Sequence, residues 1–131
     1  MTYEEGLAVA TMWQEARGSD DKARLAVAHV IRNRMAQMYT SDGTVAGTVL
    51  VPWQFSGWMD ATIARESLVY AGTDSLDLEG IWQQSATEPD PTDGAVLYYS
   101  PAAMSPPGTV PSWVASSRLT LDLPDFKFYA A

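Results

Sequence analysis

The sequence predicts an α+β fold, mainly helical, with a small strand or hairpin region at its C-terminal end. Three observations carry that reading. Apolar residues recur at helical spacing through most of the chain up to Ser85, a turn-rich break follows at Pro89-Asp90-Pro91-Thr92-Asp93-Gly94, and beyond it the pattern alternates instead. At 131 residues, with 47% hydrophobic and 18% charged side chains, the chain fits a single domain, 1–131, with a real core.

Thr2 followed by Glu5 has capping-box spacing, and Leu7, Ala8, Thr11 and Met12 then share a helical face that continues to Gln14 and Glu15, with Gly18 as the stop. Ser19-Asp20-Asp21 starts a second helix, with Ala23, Ala26, Val27, Val30, Ile31 and Met35 on one face. The segment from Tyr39 to Pro52 reads as loop: Ser41-Asp42-Gly43 is turn chemistry and Thr48-Val49-Leu50-Val51 is a short β-branched run. Helical patterns return over 61–71, closed by Gly72, and over 75–85, weakened by Gly80, which makes four helices expected. Ala95-Val96-Leu97-Tyr98-Tyr99 reads as strand, and a Pro- and Ser-rich loop runs on to Trp113. Leu119-Thr120-Leu121 and Phe126-Lys127-Phe128-Tyr129 then alternate as a hairpin across Pro124-Asp125.

A net charge of −8, from 16 acids against 8 bases, opposes nucleic-acid phosphates and anionic membranes, so neither is expected as a partner. With no cysteine and one histidine, thiol nucleophiles and thiolate or multi-histidine metal sites are excluded, and no metal or cofactor is expected. No apolar run approaches the length of a membrane span, and Met-Thr-Tyr-Glu-Glu-Gly at the start lacks the basic and apolar regions of a secretory signal. Cytoplasmic synthesis and a monomer are the expectations.

Glu15 falls where the helical stripe calls for an apolar residue. Burial there would raise its pKa and keep a carboxylic acid protonated for donation to a glycosidic oxygen. A helix-end glutamate paired with Arg17 or Arg24, or simply solvated, fits the same pattern. His29 lies mid-helix without a nucleophile or metal motif around it and reads as structural. Trp53, Phe55, Trp58, Tyr98, Tyr99 and Trp113 fall in loops or strands, where rings stack on sugars or fill the core.

The stretches Trp13-Gln14-Glu15-Ala16-Arg17-Gly18 and Ala26-Val27-Ala28-His29-Val30-Ile31-Arg32-Asn33-Arg34 resemble the cell-wall hydrolase family that includes the spore cortex-lytic enzymes. Pro52-Trp53-Gln54-Phe55-Ser56, Asp90-Pro91-Thr92-Asp93-Gly94-Ala95, Tyr98-Tyr99 and Phe128-Tyr129 resemble later motifs of that family in the same order. The resemblance implies a lysozyme-like domain whose partner is the peptidoglycan glycan strand, cut between N-acetylmuramic acid and N-acetylglucosamine, with Glu15 as the motif glutamate. It further implies lytic transglycosylase chemistry, in which one carboxyl acts first as acid and then as base. The chain departs from the family at Phe126, which stands where a histidine is usual.

On this reading Glu15 is catalytic, Gln54, Phe55, Ser56, Asp90, Thr92, Tyr98, Tyr99 and Trp113 bind substrate, and Tyr98 or Tyr99 supports a developing oxocarbenium ion. Two alternatives stay open: a muramidase that hydrolyses with a second carboxylate, Asp90, and a non-catalytic glycan-binding or virion structural protein. A wall-cutting enzyme lacking a secretory signal fits a phage endolysin held in the host cytoplasm until release, or a virion-associated protein.

Overall fold

A computed structural model describes residues 1–73 and 75–131. Helix α1, Tyr3–Ala16, is N-capped by Thr2: the Glu5 backbone N–H donates to the Thr2 hydroxyl at 3.1 Å, and that hydroxyl, in place of the Thr2 backbone N–H of a full capping box, donates to the Glu5 carboxyl at 3.2 Å. From Leu7 to Met12 every residue is buried, so α1 is the central helix rather than a surface helix with one apolar stripe. It packs against α2 (Asp21–Gln37), α4 (Ala61–Thr73) and α5 (Leu76–Ser85). Asp20 caps α2 through the Ala23 N–H at 3.0 Å, and Met38, at φ +54°, turns the chain out of it.

The segment 39–52, expected as loop, contains a helical turn, α3 (Ala46–Val49). Its free backbone donors find acceptors that no local pattern announces. The Ala46 N–H donates to the Glu4 carboxylate at 2.8 Å and the Gly47 N–H to the Thr44 hydroxyl at 2.9 Å, so a side chain of α1 caps a turn some forty residues away. A 3₁₀ turn at Ser56–Met59 leads into α4.

Strands β1 (Leu97–Tyr99), β2 (Arg118–Asp122) and β3 (Lys127–Ala130) form an antiparallel sheet in the order β1-β3-β2, with the expected hairpin between β2 and β3. Tyr98 lies opposite Phe128, and Phe126 and Phe128 join the helical core. The α+β fold thus sets its sheet against the end of α1, where Tyr98 of β1 meets Glu15. No helix among the described residues is long and apolar enough to cross a membrane.

Candidate active site

Glu15 ends α1 beside the sheet, and the Tyr98 hydroxyl of β1 donates a hydrogen bond to its Oε1. Burial pushes the Glu15 carboxyl above its ordinary range, while the Tyr98 hydrogen bond and the nearby Arg34 guanidinium pull it part of the way back. Tyr98, half-buried, is pushed well above the usual phenol range by burial and by the Glu15 charge, so it remains a neutral donor. The net effect favours the protonated acid, while Tyr98 and Arg34 are the partners that favour its carboxylate.

Two cavities open on either side of the Glu15–Tyr98 pair. One, about 440 Å³, is lined by Glu15, Gln14, Ser19, Ser100, Asp125 and Phe126 among others. The other, about 420 Å³, lies on the Tyr98 side and is lined by Arg34, Tyr39, Trp53, Gln54 and Trp113 among others.

Successive residues of α2 hold this geometry. Asn33 Nδ2 donates to Asp90 Oδ2 at 2.8 Å, to the Ala95 carbonyl at 3.0 Å and to the Thr92 hydroxyl at 3.3 Å. Arg34 Nε donates to the Val96 carbonyl at 2.7 Å and its Nη1 to Gln54 Oε1 at 2.9 Å. The pair therefore grips the segment that leads into β1, which sets where Tyr98 meets Glu15. Arg34 is buried beneath the site, with its guanidinium carbon 5.0 Å from the Phe55 ring centroid.

The sequence-predicted residues fall into distinct environments. Glu15, Tyr98, Gln54 and Trp113 border the two cavities. Phe55 is only 1% exposed and Thr92 is fully buried, so neither offers a surface to a ligand, which corrects the binding roles expected for them. Asp90 belongs to a turn: it accepts from the Thr92 hydroxyl and from the N–H groups of Thr92 and Gly94. Burial works to raise the Asp90 carboxyl, but these bonds and that from Asn33 hold it below its ordinary range, and Asp90 lines neither of the two cavities beside Glu15 and Tyr98. Ser56 is exposed and lines neither cavity. Tyr99 points away from Tyr98, as strand alternation requires, and stacks on Tyr129 at 6.2 Å with Trp113 edge-on at 6.0 Å.

Arg34 and Asp125 are among the lining residues that escaped the sequence reading. Arg34 sits in line with Val27, Val30 and Ile31, so a charge on the apolar face of α2 repeats the anomaly of Glu15 on α1 and was available as a signal. Asp125 was read as hairpin-turn chemistry, and only the fold brings it to the Glu15 cavity. His29 is buried, with Nδ1 3.7 Å from Asp90 Oδ1, and burial lowers its pKa. Trp58, a candidate for sugar stacking, donates its indole N–H to the buried Thr11 hydroxyl at 2.9 Å and packs against the core. Gly57 beside it is required sterically, since a Cβ there would collide with the Gln14 side chain.

Comparison with solved structures gives the catalytic domain of the germination-specific lytic transglycosylase SleB from Bacillus anthracis, at 18% identity and a TM-score of 0.75, covering 99% of this chain and 97% of that one. The catalytic domain of the Bacillus cereus SleB protein is similar at 20% identity and a TM-score of 0.74, covering 97% and 89%. No curated protein matches the sequence. The family model described as Cell Wall Hydrolase matches residues 18–129. The chain belongs to the cell wall hydrolase family.

Proposed function

We propose that the protein cuts the glycan strand of peptidoglycan between N-acetylmuramic acid and N-acetylglucosamine as a lytic transglycosylase, with Glu15 as the acid and then the base. The observation that carries this is a carboxyl whose protonation is favoured by burial, held by Tyr98 between two cavities. Family membership and the likeness to SleB catalytic domains support it.

In the first step the glycosidic C1–O bond breaks as the Glu15 proton passes to the leaving oxygen. The carboxylate that results keeps the Tyr98 hydrogen bond and the Arg34 charge, which favour the ionised form. It then takes the proton of the sugar's own C6 hydroxyl as that oxygen bonds to C1 and closes an anhydro ring. No second carboxylate is needed for this route.

Glu15→Gln keeps the shape and removes the proton. Turbidity clearance on purified peptidoglycan is expected to fall by at least about 100-fold, and near-normal lysis would defeat the assignment. A hydrolytic route has one specific observation in its favour, since Asp125 lines the same cavity as Glu15 and could activate a water. Mass spectrometry of the released fragments separates the two: anhydro ends support the transglycosylase, and reducing ends support hydrolysis.

A further inference from the structure

Trp53 is 78% exposed, the second most exposed large hydrophobic residue after Leu76. Its φ is +69°, in the left-handed region that a bulky side chain rarely adopts. The Gln54 N–H donates to the Val51 carbonyl at 3.3 Å, so Pro52 and Trp53 are the two corner residues of a turn. Proline at the first corner and positive φ at the second are the pattern of a type II turn, whose second corner favours glycine or asparagine. Tryptophan there is doubly unfavourable: the backbone is strained and a large apolar ring stands in water. Among the described residues its indole makes no ring contact and no hydrogen bond, so core packing does not account for it.

What the ring does have is a position. It borders the cavity on the Tyr98 side of Glu15, together with Gln54, Trp113 and Tyr39. Trp113 is fixed there by Tyr129, at 5.2 Å edge to face. Gln54 gives its carbonyl oxygen to Arg34, which leaves its amide N–H groups as the donors it can offer a ligand. An indole face with a fixed amide donor beside it suits one class of ligand: a hexosamine ring with an apolar C–H face and an acetamido carbonyl.

We propose that Trp53 is the stacking platform of a saccharide subsite on the Tyr98 side of Glu15, and that this subsite takes an N-acetylated hexosamine of the glycan strand. The inference rests on the glycan-cutting reading above and adds which residue holds the strand, and where.

The test uses the full chain in the turnover-blocked Glu15→Gln background, with N-acetylglucosamine oligomers titrated by calorimetry and thermal melts run in parallel. Trp53→Gly removes the ring and relaxes the turn. It is expected to bind the oligomers about three- to tenfold more weakly than the parent, while melting no lower. Trp53→Phe, which keeps an aromatic face, is expected to retain most of the affinity. Unchanged binding by Trp53→Gly would overturn the subsite while leaving the glycan-cutting reading intact. A melting point several degrees lower would show instead that Trp53 is a packing residue. If neither Glu15→Gln nor the unmodified protein binds any oligomer, the subsite proposal fails, while clearance of purified peptidoglycan by the unmodified protein decides the glycan-cutting reading separately.

Discussion

Glu15 and Tyr98 make one titrating unit, and its pH behaviour can be worked out from the direction of each influence. The Tyr98 hydrogen bond favours the carboxylate, so Tyr98→Phe is expected to raise the Glu15 pKa further. The acid form then persists to higher pH, and the alkaline limb of the kcat profile on peptidoglycan moves upward, even as the rate at the optimum falls. A limb that stays put or moves down would show that Glu15 does not set it. The same burial has a consequence for stability. A carboxyl whose folded-state pKa lies above its ordinary 4.5 contributes stability below that value and loses it as the pH rises through the raised one. Glu15→Gln, which can still accept from Tyr98, should therefore melt above the parent at pH 7, with the gap closing towards pH 4. Calorimetric melts across that range check it.

The loop 90–96 shows how a helix and a strand are locked together by polar side chains rather than by apolar area. Asn33 serves three acceptors of that loop, and Asn33→Ala removes the donor to the Ala95 carbonyl and leaves the partly buried Asp90 carboxylate with only the bonds of its own turn. A loss of about 1–3 kcal/mol is expected in denaturant unfolding, with kcat falling more than KM rises because β1 no longer holds Tyr98 in register. Asp90→Asn tests the same clamp by pH. The Asp90 pKa is depressed, so the stability it contributes is present above the ordinary carboxylate value and lost as the pH falls through the folded one. The Asp90→Asn deficit should therefore be full at pH 7 and shrink in acid. Much of this fold was legible in the sequence, because capping boxes, helical spacing and strand alternation are local signals: Thr2 with Glu5, Asp20 and the 118–130 hairpin are where the pattern puts them. The turn α3 was not, because its cap comes from Glu4 in another helix. Thr92 and Asp90 were read as sugar contacts for a similar reason, since motif residues that build a turn and residues that touch a ligand look alike until Asn33 is seen beneath them.

Glu15 stood out as a charge on an apolar face and Arg34 offered the same signal unread, whereas Asp125 and Trp53 reach the groove only through the tertiary fold, which no local period encodes. One property of the molecule needs no fold at all. The chain carries a net charge of −8, and on the proposed function its substrate is a polymer rich in carboxylates, so long-range repulsion opposes their encounter. Within the groove, binding falls to hydrogen bonds, ring stacking and a buried guanidinium that salt screens weakly. Raising ionic strength from about 20 mM to about 150 mM shortens the screening length to roughly 8 Å and weakens the repulsion while leaving those contacts largely intact. Clearance of intact peptidoglycan is therefore expected to speed up several-fold over that interval, through a lower apparent KM, whereas binding of short neutral N-acetylglucosamine oligomers should change little. If the rate on walls fell with salt instead, local cationic contacts would be steering the substrate, and Arg17, beside the Glu15 cavity, would be the first residue to neutralise.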